Sequence, residues 1–118
     1  MHHSLYRCHS GELYYVFGNL PANRPYRDDK DLPFMQQMVD VWTSFARTYD
    51  PNPDPAYLNV RGYTNVAEEL AKQSKWLQVT EATLKTTPLR QLMWPSFMTE
   101  FKEQEQCEFF GFPLDYFG

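Results

Sequence analysis

"DLPFMQQMVDVWTSFARTYDPNPDP", residues 31–55, carries the reading that decides the fold class. Met35, Met38, Val39, Trp42, Phe45 and Ala46 recur at three- and four-residue spacings, so on a helix they line up as one apolar stripe. The pattern predicts a helix over Asp31–Thr48, with Asp31 as its cap and Pro33 in its first turn. "YDPNPDP" then stops it, because proline lacks the N–H that a continuing helix needs.

Beyond that stop, a short helix is expected from Pro55 to Arg61, capped by Asp54 and ended at Gly62. "TNVAEELAKQSK" predicts another, with Asn65 as cap and Glu68 as its reciprocal partner. Trp76–Thr80 and Leu89–Met93 have the length of strands, with "TTP" turning between them. A last helix is expected over about Thr99–Phe110, ended by Gly111 and Pro113. In the other direction, "NLPANRPYRDDKDLP" reads as a surface loop, and "YRCHSGELYYVFGNLP" (6–21) as an irregular segment leading into a short helix near Glu12–Phe17. The pattern is mainly helical with about two short strands. It closes no small fold and reads as part of something larger.

The 118 residues fit one domain, and 42% hydrophobic with 22% charged residues marks folded protein. The 17% of aromatic residues need a deep core or a large partner surface. A net charge of −4 without a basic cluster argues against nucleic acid. No apolar run approaches the ~20 residues of a membrane span. "MHHSLYR" lacks the apolar middle and small-residue cleavage site of a secretory signal, which would point to the cytosol only if Met1 is the true start, and localisation stays open. Cys8 and Cys107 sit near opposite ends and could pair with each other, pair elsewhere or stay free. His2, His3 and His9 with Cys8 lack the fixed spacing of a zinc site, so no metal or cofactor is expected.

His9 is the candidate for chemistry. A histidine base needs a serine or cysteine to deprotonate and a carboxylate to orient it. The chain has no G-x-S-x-G turn, Ser10-Gly11 lacks the leading glycine, and no Gly-rich stretch offers amides for an oxyanion. Cys8 is next to His9, but neighbours on an extended segment point to opposite sides. On these residues alone, the chain is not a self-sufficient hydrolase.

"CHSGELYYVFGNL" followed by "MVDVWTSFARTYDPNPDP" resembles the C-terminal end of the type-B carboxylesterase/lipase family, which includes the cholinesterases. "RGYTN", "LRQLMWPSF" and "EQCEFFGFPLDYF" resemble the tail of its fungal members, so the likeness covers essentially everything after Arg7. The resemblance implies a partial α/β-hydrolase, with residues 1–118 as the incomplete C-terminal part of the domain. It implies that His9 is the catalytic base of a Ser–Glu/Asp–His triad. The nucleophile, triad acid and oxyanion hole would then lie upstream, because the triad runs Ser, acid, His along such chains. The substrate would be a carboxylic ester.

Glu12 matches the family's glutamate after the histidine, as a helix-start carboxylate or as part of the site's polar network, and Gly11 and Gly18 match positions of backbone freedom. Cys107 matches a cysteine that bridges to an upstream partner, and Cys8 a small buried residue beside the site. Two departures stand out: Tyr49 where the family helix ends in glycine, and residues 1–7, which do not match the lead-in to the histidine. Family relatives are often secreted. The stripe on the long helix would pack on the family's central sheet. In this chain it would fold onto the last helix through Phe101 and Phe110, or stay open and drive self-association unless the N-terminal part is supplied. The rival expectation is a truncated, non-catalytic relative that serves as a helical protein-interaction module.

Overall fold

The structure, a computed structural model, describes residues 10–23, 25–26, 28–62 and 64–111. Its element order is α1 (Leu13–Val16), α2 (Asp31–Thr48), α3 (Pro55–Val60), α4 (Thr64–Lys72), α5 (Glu81–Leu84), β1 (Leu89–Gln91), β2 (Phe97–Thr99) and α6 (Gln104–Phe109). The two strands form an antiparallel hairpin that pairs Leu89 with Thr99, Arg90 with Met98 and Gln91 with Phe97. Among the described residues there are thus six helices and one two-stranded sheet.

Helix α2 has the expected bounds. Asp31, however, lies inside the first turn; the cap position is Lys30, which contributes no side-chain hydrogen bond. Asp31 instead accepts a hydrogen bond from the Tyr15 hydroxyl, 3.3 Å away. At the other end, Tyr49 takes up the left-handed conformation at φ 60°, ψ 14° and closes the helix with its N–H on the Phe45 carbonyl, 2.8 Å. The departure noted at this position thus falls where a side chain is least welcome.

The expected stripe is corrected in its second half. Met38 is buried, and Met35 and Val39 are half-buried, but Trp42, Phe45 and Ala46 are exposed, Phe45 by 52%. The buried face carries Gln37, Met38, Asp40, Val41 and Ser44 instead. With Leu58 of α3 and Val66 of α4, Met38 and Val41 make up the whole fully buried apolar core among the described residues. Helix α6 does not cover the open half: α2 packs on α1 and α4, and Phe109 and Phe110 are exposed.

Helix α3 is capped as expected, the Asp54 carboxylate accepting from the Ala56 N–H at 2.8 Å. Helix α4 starts at Thr64, so Asn65 sits in its first turn and is not its cap; its Oδ1 accepts from the Val66 N–H. Trp76–Thr80 is not a strand. The Trp76 main chain is held by a side chain, and Thr80 caps the unforeseen α5 through a reciprocal pair with Thr83. Leu89–Gln91 is a strand, but its partner is Phe97–Thr99, whose last residue was expected to start the last helix; that helix begins only at Gln104.

Candidate functional site

His9 and Cys8 lie outside the described residues. What is described begins with the next residue. Ser10 holds a positive φ of 62°, and its carbonyl accepts from the Leu13 N–H at 3.3 Å, closing a tight turn into α1. Gly11 is half-buried in that turn. Glu12 is exposed at the cap position of α1, a helix-start carboxylate that makes no side-chain capping bond.

The segment after the turn is docked on the N-terminal half of α2. The Tyr15 ring packs edge-on against Phe34, with centroids 5.1 Å apart, while its hydroxyl donates to Asp31, which is buried. Gly18, at φ 65°, ends the segment where an added Cβ would stand 3.2 Å from a Val39 methyl. A side chain there meets both a strained backbone and a packed neighbour. Tyr15 and its partner were not foreseen from sequence; Asp31 at a helix start reads as a cap, and only the fold makes it an acceptor.

A second constellation sits at the C-terminal end of α2. Asp50 Oδ1 accepts from the Asn52 main-chain N–H at 2.9 Å and from its side-chain Nδ2 at 2.7 Å. These two bonds hold the Asp50 carboxyl below its ordinary pKa of 3.8; Lys75 adds to the effect and slight burial opposes it. Asn52 in turn binds the Trp76 main chain, and the Trp76 ring meets Trp42 edge-on at 6.1 Å. Trp42, Phe45, Tyr49, Trp76, Leu77 and Val79 line an open groove of about 920 Å³.

Between these ends, α2 is tied down by buried polar pairs. Asp40, fully buried, is ion-paired with Arg61 and accepts from Gln36 Nε2 at 3.2 Å. Arg61 and Arg47 stack over the Tyr57 ring, 5.5 and 4.5 Å from its centre. Gln37 Nε2 donates to Gln73 Oε1 and to Ser96 Oγ, 3.2 Å each, while its own Oε1 is buried without a partner. Arg90 donates to Gln73 Oε1 and to the Ser74 carbonyl past the end of α4, and partial burial lowers its pKa. A guanidinium there complements the negative end of the helix.

Cys107 is a half-buried free thiol on α6. Among the described residues no cluster of three or more His, Cys, Asp or Glu side chains could hold a metal ion, and no helix is long and apolar enough to cross a membrane.

The family model for the carboxylesterase family matches residues 3–110. The chain belongs to the carboxylesterase family. The match includes the His9 segment, α2 and the "DPN" turn that organises Asn52. Neither the comparison with curated proteins nor that with solved structures finds a match. The described residues that follow His9 in the chain are the Ser10 turn at positive φ, the one-turn α1, and the Tyr15 of α1 that packs on Phe34 of α2 and donates to Asp31.

Proposed function

We propose that this chain is the histidine-bearing C-terminal portion of a carboxylic-ester hydrolase, of the type-B, cholinesterase-like group and nearest its fungal members. His9 is the base of the triad: it takes the serine proton during acylation and activates water for deacylation. The serine, the Asp or Glu that orients His9, and the oxyanion-hole amides come from sequence upstream. Glu12 and Gly11 support the loop around His9, and Cys107 bridges to an upstream cysteine. The observation that carries this reading is the carboxylesterase-family match across the His9 segment, in a chain without a G-x-S-x-G turn.

On this reading the isolated chain is inactive. Losing one oxyanion donor alone typically lowers kcat by about 10²–10³, and here the whole constellation is missing. The test is hydrolysis of p-nitrophenyl butyrate by the purified chain, expected at the rate of free imidazole. Turnover above that background, abolished by His9→Ala, would refute the inactivity. Joined to an upstream portion with the nucleophile, the chain should support hydrolysis that His9→Ala abolishes.

A second reading, a non-catalytic helical interaction module, draws on the open groove flanked by Trp42, Phe45, Leu77 and Val79. The first reading leaves that face for the rest of the hydrolase to cover, and the lone chain should then self-associate and melt broadly. A monodisperse monomer in light scattering, with a sharp cooperative melt, would favour the module.

A further inference from the structure

Residues 74–80 run without helix, turn or bend, and Thr80 at their end is extended, at φ −131° and ψ 171°. "KWLQVT" (75–80) is thus a straight segment outside the hairpin. On an extended chain, neighbouring residues turn their main-chain groups to opposite edges, and residues two apart share an edge. One edge is occupied. Asn52 takes the Trp76 N–H and carbonyl, and the Thr83 hydroxyl donates to the Gln78 carbonyl at 2.9 Å. The other edge carries Leu77 and Val79, and none of their four main-chain groups has a hydrogen-bond partner among the described residues. Both residues are exposed, by 47% and 57%.

Such an edge is a template for one more strand, and its spacing selects which. In an antiparallel ladder a residue exchanges both of its main-chain bonds with one opposite residue, and the next to do so is two further on. Two free residues flanking a central one are therefore their own complement. A two-fold axis at Gln78 sets Leu77 opposite Val79 of a second copy, and Val79 opposite its Leu77. All four free groups of each copy are then paired. The same axis sets Lys75 opposite Glu81, where α5 begins. Both side chains are exposed and neither forms an ion pair among the described residues, so two complementary pairs come with the register. Parallel pairing, or a slip by two residues, would lose both.

We propose that the chain dimerises about this axis, by edge-to-edge pairing of Leu77–Val79 with the same segment of a second copy. The proposal depends on neither functional reading of the chain. Each copy spends its one free edge on the other, so assembly stops at two.

The experiment is sedimentation equilibrium on the 118-residue chain, where a monomer–dimer equilibrium is expected. Val79→Pro removes an edge N–H that the monomer does not use, so it should abolish the dimer and leave the helical circular dichroism unchanged. Lys75→Glu and Glu81→Lys should each weaken the dimer about tenfold by setting like charges opposite each other, and the double exchange should return it to within about threefold. With Cys8 and Cys107 replaced by serine, Gln78→Cys should cross-link to its own copy under mild oxidation, because facing residues of this kind have Cα atoms about 4.5 Å apart. Val79→Cys, which faces Leu77, should not.

A monomer at every concentration up to about 1 mM would overturn the proposal. So would assemblies that grow beyond two, a dimer that Val79→Pro leaves intact, or a double exchange no tighter than the single ones. Cross-linking of Val79→Cys as readily as Gln78→Cys would overturn the register and with it the axis.

Discussion

The side-chain amide of Asn52 is paired with both main-chain groups of Trp76: Nδ2 donates to the carbonyl at 3.0 Å, and Oδ1 accepts from the N–H at 2.8 Å. A side chain thus makes the two bonds that a neighbouring strand would otherwise make. Asn52→Ala should remove both, together with the Nδ2 bond to Asp50, and destabilise the chain by about 3 kcal/mol, at about 1 kcal/mol per bond. Thermal melting reads the loss, and tryptophan emission should shift to the red as Trp76 loosens. An unchanged melt would mean that the pairing is idle.

Asp50 makes part of the stability pH-dependent. Its folded pKa is lowered, first by the Asn52 N–H and then by the Asn52 side chain. A lowered folded pKa contributes stability that is present above the unfolded value, near ~3.9, and is lost as pH falls through the folded value. Denaturant titrations between pH 6 and 2 should therefore show the gap between the native chain and Asp50→Asn narrowing below about pH 4. A gap that widens toward acid would contradict the assignment.

Tyr49 bears a backbone conformation that costs a residue with a Cβ about 1–2 kcal/mol. Its ring is almost fully exposed, with one edge-on contact to Phe45 at 6.2 Å. Tyr49→Gly should raise stability by about 1 kcal/mol, after allowing for the greater freedom of glycine in the unfolded chain. Tyr49→Ala, which keeps the strain and loses the ring, should give no gain. Equal melts for the two variants would show that the left-handed turn is not what limits this position.

Gln37 is held in one orientation by its neighbours. Arg90 can only donate, so Gln73 must turn its oxygen toward Arg90, and the same oxygen then accepts from Gln37 Nε2. Gln37 Oε1 is left over. Gln37→Met removes the orphan and leaves no other group unpaired, since Gln73 keeps Arg90 and Ser96 keeps the Met93 carbonyl. It should fall within about 1 kcal/mol of the native stability, the lost bonds offsetting the relieved acceptor. Gln37→Glu should cost about 3 kcal/mol or more at neutral pH, because it buries an unpaired charge. Similar melts for the two would refute this orientation.

Helix α2 was legible to the residue in its bounds, because its periodicity and its proline stop are local signals. Its buried face was not. Periodicity weighs each side chain by its own polarity; Gln37 and Asp40 go inside because Ser96 and Arg61 meet them from far along the chain, and Ser44 because its hydroxyl donates to the Asp50 carbonyl just past the helix end. Trp76–Thr80 had the composition of a strand and missed being one because its partner is the Asn52 side chain. Thr99 joined the hairpin for a similar reason: its pairing with Leu89 spans ten residues that a single-window reading treats separately. Of the site, the family of the His9 segment was readable from its motif, whereas the Tyr15–Asp31 anchor depends on α1 folding back across a loop.

Two of the three indoles in the chain, Trp42 and Trp76, meet edge-on in the wall of the groove. Chromophores this close couple their electronic transitions, so the pair should give a two-signed exciton band in circular dichroism. That band depends on the angle between the rings, 63° here, rather than on helix content. Whatever covers the groove would alter the optical activity of the chain while its backbone stays in place, and the closing of this face can be followed without any label.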